Sequence, residues 1–377
     1  MSFLRPKTKI DEGDTVIIFL GVNSMHSIQA TPTVVNRKGE EVEHIFQTSF
    51  GALKVRSIIG LEYGKYERCF YCCLWRNQII RKCRVFIQIS YRFPRVSSSC
   101  WFALCHTSCF FGLTEKFFYF ILIIYGSQVK LSKGWAYILQ PNPQLWTQTL
   151  PHRTQIIYTP DISMIIHQLD LRPGSVIVES GTGSGSLSHF LLHAIKPSGH
   201  LHTFDFHEAR AKQAQDEFQN HGLSDFVCVY NRDVCEFGFG TQLEGKVDAV
   251  FLDLPAPQLA VPHAVKVFKK NQGGRFCSFS PCIEQSQRCC EALKNHGFTE
   301  IQSLEILQQE NQVKTKSLSS INLDFVKHKK PLNSSPEEKQ HLPSKDVIKV
   351  LTTFQPMTHT GHTGFLTFAT LPPVFAR

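Results

Sequence analysis

The chain lacks any long apolar run. The longest, Phe117 to Tyr125, is nine residues, about half of the roughly 20 that a helix needs to cross a bilayer. A multispanning membrane protein is therefore excluded, and no membrane association is expected. An apolar stretch near the start is also missing: Met1 to Gly13 is polar and charged. That argues against a secretory leader and makes a reducing compartment with free thiols the default. Internal repeats are absent. Acidic residues are the minority, 31 against 40 Lys and Arg, for a net charge of +9. What is present is a globular composition, with 42% hydrophobic residues and a mean hydropathy of −0.13, which excludes a wholly disordered chain. At 377 residues there is length for about two domains.

The basic excess is not spread evenly. Residues 65–126 hold nine basic and two acidic residues, so this window carries +7 of the +9. It also holds seven of the 13 Cys and sixteen aromatics, against 27 in the other 315 residues. Whole-chain charge is thus no signature of an anionic partner here. Cys69, Cys72, Cys100, Cys105 and Cys109 have ligand-like gaps, but a structural zinc site wants two clean pairs at a defined separation. No metal site is expected in the window or elsewhere: His152, His200, His202 and His207 are scattered without ligand spacing, and His200 and His202 read as strand or turn residues.

Residues 14–60 read as a small all-β module. Asp14 to Leu20 and Thr33 to Val35 are β-branched runs flanked by Gly or Asn. Trp135 to Leu139 reads as a further strand, and Pro141-Asn-Pro143 as a turn. From about 150 strands and helices alternate. Strand-like runs at Ser175–Val178, Leu201–Phe204, Phe226–Tyr230, Ala249–Leu252 and Gly274–Phe279 are separated by helical patterns at Ser188–Ile195, Ala209–Asn220 and, after the last, Ile283–Asn295. Another helical pattern, Ile162–Leu171, precedes them. That alternation predicts a doubly wound, Rossmann-like α/β domain. Residues 312–348 are rich in Lys, Ser and Pro and read as a flexible loop. Phe365–Phe368 reads as a strand tied back into the sheet.

The strongest motif is Val178-Glu-Ser-Gly181-Thr-Gly183-Ser-Gly185-Ser186, following a strand and opening a helix. Three alternate glycines permit positive φ and a close ligand approach, and the helix start offers free N–H groups. Asp205, 20 residues after Gly185, ends the next strand, where a carboxylate can accept both hydroxyls of a ribose. Glu179 can hold the amino-acid end of S-adenosylmethionine, and GxGxG spacing argues against a nicotinamide site. Asp233 and Asp253 end the next two strands, at the edge where open α/β sheets bind ligands. Asp233 can bind an adenine amino group. Asp253, in the stiff Asp253-Leu-Pro-Ala-Pro257 turn, can accept the exocyclic N–H of a substrate adenine and orient N1 toward a methyl donor. The plainer alternatives are a solvated strand-end carboxylate for Asp205 and a helix cap for Asp253.

Pro151–Ile156, Arg172–Ser175, Glu179–Ser186, Gly199–His202 and Gly273–Gln285 resemble the catalytic subunit of the eukaryotic tRNA (adenine-N1)-methyltransferase, which modifies the T-loop adenine at tRNA position 58. The resemblance covers roughly 1–64, 127–312 and 355–371. It implies a class I S-adenosylmethionine-dependent methyltransferase domain (149–311 plus 349–377) behind a small β-domain (1–64 plus 127–148), with 312–348 as a loop. It further implies tRNA and a non-catalytic sister subunit as partners, a dimer of heterodimers, and a nuclear location. By motif matching, Asp253 would be catalytic. Cofactor contacts would be Ile157, Glu179, Gly181, Gly183, Ser184, Gly185, Ser186, Asp205, Arg210, Asp233, Val234 and Asp253. Substrate contacts would be Leu20, Gly21 and Val22; Ser175; Glu179, Ser180, Gly181 and Thr182; Leu252, Asp253, Leu254 and Pro255; Cys277, Ser278, Phe279, Ser280, Pro281, Cys282 and Glu284; and His362, Gly364 and Phe365. Relatives usually carry Glu where this chain has Asp205, so the ribose fit would differ. The sister subunit lacks the intact Gly-rich motif, which favours the catalytic role here.

The window 65–126 resembles no part of the family. Gly64-Lys65-Tyr66 can be encoded as GGT-AAG-TAT, a splice-donor-like string, and Phe117–Tyr125 is what a pyrimidine-rich acceptor tract would encode. A translated intron is expected. The rival readings are a metal module or lipid patch in the window, a catalytically impaired tRNA-binding scaffold for the whole chain, and a dinucleotide oxidoreductase.

Overall fold

The computed structural model describes residues 3, 7–21, 23–36, 38–63, 127–308, 311–321, 345–355 and 361–376. They fall into two compact units, the second spanning Gln308–Thr360 and the first taking the flanking segments. The readings made for 65–126, Lys327–Pro331 and Asn333–Pro336 lie outside the described residues.

The first unit opens with a four-stranded antiparallel sheet in the order β2-β1-β8-β7. Its strands are β1 (Thr15–Gly21), β2 (Ser24–Gln29), β7 (Ser127–Leu131) and β8 (Gly134–Leu139). Two small hairpins precede β7: β3 (Thr33–Val35) with β4 (Glu41–Glu43), and β5 (Ile45–Thr48) with β6 (Gly51–Lys54). Side chains alternate across a strand, and β1 is buried on both faces. Val16 and Ile18 join Leu53, Val55, Tyr63 and Leu131, while Ile17 packs on the other face with Tyr137, Leu139 and Leu145. Each such fully buried aliphatic contributes roughly 1.5–3 kcal/mol.

Pro141-Asn-Pro143 begins a helix rather than making a free turn. Asn142 Oδ1 accepts the Leu145 N–H at 2.8 Å, and Pro143 occupies the first helical position of α1 (Pro143–Thr149). Pro is favoured there because its missing N–H would be unpaired anyway.

The second layer system is a seven-stranded sheet in the order β11-β10-β9-β12-β13-β17-β14. Its strands are β9 (Val176–Ser180), β10 (His200–Asp205), β11 (Val227–Asn231), β12 (Ala249–Asp253), β13 (Gly274–Ser280), β14 (Thr299–Glu305) and β17 (Phe365–Leu371). β9 to β13 are parallel, and β17 runs antiparallel between β13 and β14. The helices are α2 (Thr159–Gln168), α3 (Ser186–Ile195), α4 (Glu208–Asn220), α5 (Val234–Phe237), α6 (Val261–Val267) and α7 (Ile283–Asn295). Adjacent strand residues feed two cores. Ile177, Phe251 and Cys277 pack with α2, α3 and α4; Val178, Val250, Leu252 and Phe276 pack with α6 and α7. The strand order reverses between β9 and β12, and a crevice opens at the carboxyl ends of the strands where it does.

The loop expected over 312–348 is corrected at both ends. β15 (Gln312–Ile321) and β16 (Lys345–Phe354) form an antiparallel ladder of ten residue pairs, within the second unit. The polar composition of 312–321 hid a strand whose hydrogen bonds come from a partner distant in sequence. Residues 349–354 accordingly belong to this ladder and not to the seven-stranded sheet.

Candidate active site

The Gly-rich turn leaves β9 and enters α3. Gly181, Gly183 and Gly185 have φ of +96°, +53° and +72°, a region that L side chains rarely adopt. A Cβ at Gly181 would also collide with the backbone oxygen of Asp253, and one at Gly183 would press on Thr154 Oγ1. The turn is braced from outside. Ser184 Oγ accepts the N–H groups of Arg153 (3.0 Å) and Thr154 (3.1 Å), and Ser186 Oγ donates to the Ile157 carbonyl (3.0 Å). These contacts wrap Thr154–Ile157 over the turn and shape a narrow pocket of about 20 Å³ whose walls include Glu179, Gly181–Leu187, Phe251 and Asp253.

Two carboxyls share that pocket. Glu179 is 1% exposed and accepts a 2.6 Å hydrogen bond from Ser188. Burial pushes its carboxyl up to about 7, against the hydrogen bonds from Ser188 and Thr203, and the neighbouring Asp253 and Asp205 add to the rise. Asp253 sits at the end of β12, caps no helix, and accepts no hydrogen bond from the described residues. Burial pushes it up to about 6. Among the described residues no basic side chain pairs with either one. A positively charged ligand group would meet no competing cation among the described residues there.

Asp205 is held differently. Its Oδ1 accepts the His207 N–H (2.9 Å) and both Nε and Nη2 of Arg210 (3.2 and 3.0 Å), and its Oδ2 accepts the Gly183 N–H (3.2 Å). One lone pair on Oδ2 is left for a ligand hydroxyl. The Arg210 guanidinium lies 5.1 Å from the centre of the exposed Phe206 ring.

The structure therefore gathers Ile157, Glu179, Gly181, Gly183, Ser184, Gly185, Ser186 and Asp253 around one pocket, with Asp205 and Arg210 tied to its rim through Gly183. Asp233 and Val234 are not brought into it. Asp233 Oδ1 accepts the Cys235 N–H (2.8 Å) as the cap of α5, and Val234 is buried in the core beside α6.

Of the expected substrate residues, Ser180, Thr182, Leu252, Leu254 and Pro255 lie at the same sheet edge. Ser280, the last residue of β13, and the following Pro281–Glu284 lie there too, and Phe365 pairs with Ser280 at the start of β17. The Ser280 Oγ is buried without a hydrogen-bond partner. Cβ space at Gly364 is filled by the Phe279 ring, and His362 Nδ1 lies 3.3 Å from Glu305. Three groups of expected substrate residues are not gathered at this pocket. Ser175 precedes β9, so it lies at the opposite end of that strand, where its Oγ accepts the Arg172 N–H. Cys277 and Ser278 are fully buried inside β13, Ser278 beside Cys289. Leu20 and Gly21 end β1 in the N-terminal sheet, and Val22 lies outside the described residues.

Sequence reasoning missed Gln285. Its Nε2 donates to the Pro255 carbonyl (2.9 Å) and its Oε1 accepts the Cys282 N–H (3.2 Å), clamping the Asp253 turn to the loop after β13. Its place three residues after the α7 cap was the available signal. A larger cleft lies between β2 and α4. None of the expected site residues lines it, and the converging carboxyls mark the smaller pocket instead.

The family described as the tRNA methyltransferase complex GCD14 subunit matches residues 134–371. A Dictyostelium discoideum protein, the tRNA (adenine(58)-N(1))-methyltransferase catalytic subunit trmt61a, is 39% identical over 264 residues, covering 66% of this chain and 83% of that one. The TRM61 catalytic subunits of Cryptococcus neoformans and Candida albicans are 44% and 45% identical, and align with 51% and 48% of this chain. The chain spans only about half the length of these two fungal relatives, 44% and 55%. In fold it is similar to a SAM-dependent O-methyltransferase from Thermotoga maritima (TM-score 0.60, 21% identity, covering 96% of this chain and 94% of that one). It is likewise similar to the tRNA (m1A58) methyltransferase TrmI from Aquifex aeolicus (TM-score 0.56, 18% identity, covering 96% and 98%). The match over residues 134–371 takes in the Gly-rich turn, both pocket carboxyls and the β17 return strand, and the chain belongs to the GCD14-subunit family of tRNA methyltransferase complexes.

Proposed function

We propose that the chain is the catalytic subunit of an S-adenosylmethionine-dependent tRNA (adenine-N1)-methyltransferase acting on the T-loop adenine at position 58. The observation that carries this reading is a buried pocket with two carboxyls and no cation of its own, in a chain of this family. Glu179 would hold the ammonium of the donor's amino-acid end, the Gly181–Gly185 turn its backbone, and Asp205 the ribose. Asp233 is the residue that would meet the adenine base, after a change in its capping contact. S-adenosylmethionine, when bound, supplies an electrophilic methyl group.

The rest of the chemistry belongs to this chain's residues. Asp253, ionised above pH of about 6, accepts the exocyclic N–H of the target adenine and turns the N1 lone pair toward the methyl. Its charge then opposes the positive charge that grows on the ring, a preorganised electrostatic contribution. Gln285 and the two prolines keep that carboxylate in place, and positioning is where in-line transfer gains most. Ser280–Glu284 and His362–Phe365 would form the tRNA-facing rim. The sister subunit, a dimer of heterodimers and a nuclear location follow from the family reading.

The window 65–126 interrupts the chain between Tyr63 and β7, both in the core of the N-terminal sheet, and relatives leave this region unaligned. We take it to be a translated intron. Methyl transfer from labelled S-adenosylmethionine to tRNA transcripts tests both statements, using the full chain and a version without 65–126, each co-expressed with the sister subunit. The expected result is an active deletion, a dead Asp253→Ala control and a full chain that is inactive or insoluble. An active full chain with an inactive deletion would overturn the intron reading. Silence from both, with S-adenosylmethionine still bound, would favour a tRNA-binding scaffold.

A further inference from the structure

We propose that His200, His202 and Cys228 form a binding site for one divalent transition-metal ion of the zinc class, linking β10 to the edge strand β11. Residues two apart on a strand share a face, so both imidazoles of β10 project the same way. β11 lies alongside in parallel, with Cys228 in register with His202. The Nδ1 or Nε2 atoms of the two histidines and the Cys228 Sγ all lie within 4.8 Å of one another. His200 Nε2 is 3.2 Å from Cys228 Sγ, and the two imidazole centres are 4.7 Å apart. A tetrahedral zinc ion with Zn–N and Zn–S distances of about 2.0–2.3 Å holds its donor atoms roughly 3.3–3.6 Å apart, so only side-chain rotations are required.

The chemistry of the donors agrees. Two imidazoles and a thiolate suit zinc, and cobalt as its spectroscopic substitute. All three side chains are half-buried. The cation facing the pair, Lys246, donates its ammonium to the Gln242 carbonyl (2.8 Å). Tyr230 OH lies 3.2 Å from His202 Nδ1, placing an oxygen as a fourth donor beside the cluster, and a water molecule could complete the coordination instead. His202 and Asp205 are three steps of about 3.3 Å apart along β10, so the ion would sit apart from the candidate active site. Its role would be structural: it would clip an edge strand whose far side has no neighbour among the described residues.

The test is Co²⁺ titration of the chain without 65–126, the form expected to be active, reduced and stripped of metal by a chelator, followed by near-ultraviolet thiolate-to-cobalt charge transfer and by visible d–d bands. Expected is one more equivalent of Co²⁺ in the wild type than in Cys228→Ser, displaced by Zn²⁺. Zn²⁺ should also raise the melting temperature of the wild type, but not that of Cys228→Ser or of His202→Asn. Far-UV circular dichroism confirms that both variants are folded; if one is not, the other carries the comparison. Equal Co²⁺ stoichiometry in wild type and folded variants, or an equal Zn²⁺ shift in melting temperature, overturns the proposal and leaves a hydrogen-bonded cluster only.

Discussion

Glu179→Gln separates charge burial from every other contribution in the pocket. The wild-type carboxyl is 1% exposed and sits at about 7, against 4.5 for an ordinary glutamate. A carboxyl held above its unfolded value binds its proton more tightly in the native state. The stability it contributes is therefore complete below pH of about 4.5 and lost as the pH rises through about 7. At about 1.36 kcal/mol per pH unit, the loss comes to about 3 kcal/mol. Gln keeps an oxygen to accept the Ser188 hydroxyl and has no charge to desolvate, so it loses nothing over that range. Titrating groups remote from Glu179 are common to both proteins and cancel in the difference, while Asp253 and Asp205 feel its charge and enter as part of the same effect. Urea unfolding of the ligand-free chain, followed by tryptophan fluorescence at pH 5 and pH 8, reads the effect. Most of the wild-type loss falls between those two values, so the gap in favour of Gln should widen by about 2–3 kcal/mol from the lower to the higher pH. A gap of the same size at both pH values, or a Gln variant that is the less stable at pH 8, would refute a buried and unpaired carboxylate at this position.

Other perturbations follow from the same site. Asp253→Ala should lower methyl transfer by at least about 100-fold while isothermal titration still detects S-adenosylmethionine; unchanged turnover would remove Asp253 from the chemistry. At saturating donor, turnover by the chain without 65–126 should rise as the pH passes through about 6 and then level off, following ionisation of Asp253; a rate that fell over that range would reverse the assigned role. Gly181→Ala forces an L side chain to φ +96°, costing at least about 1–2 kcal/mol. It also displaces the Asp253 carbonyl, so both thermal stability and donor affinity should fall. Arg153→Ala leaves Glu217, 2.6 Å away and mostly buried, without its cation. A loss of about 3 kcal/mol in urea unfolding is expected, and a loss below about 1 kcal/mol would mean that water replaces the pair.

The parts of the architecture legible in the sequence are those whose signals are local. The parallel strands announce themselves because both faces are buried, leaving near-continuous apolar runs such as Ala249–Leu252. The Gly-rich turn and the strand-end acids were readable because glycine at positive φ and carboxylates at a sheet edge have few substitutes. What was not legible depends on partners distant in the chain. β14 alternates weakly and is half-exposed, and only its pairing with β17 makes it a strand. The ladder between β15 and β16 joins residues whose own composition is polar. Ser175 and Cys277 lie within or beside motifs that resemble the family, yet direction along the strand decides which end of a motif meets the ligand. His200 and His202 carry no ligand spacing by themselves, because their third neighbour, Cys228, comes from the next strand.

The missing Cβ at Gly181 has a consequence beyond local fit. Because the Asp253 carbonyl occupies the space that a side chain would take, the turn that would cradle the methyl donor and the turn that would orient the acceptor base share one surface. Neither can shift without the other. Filling one half of the pocket would therefore be expected to bear on the other half. By thermodynamic reciprocity, whatever factor tRNA adds to donor affinity, the donor must add to tRNA affinity. A single absent methyl group thus makes the two substrates of the proposed reaction sense each other.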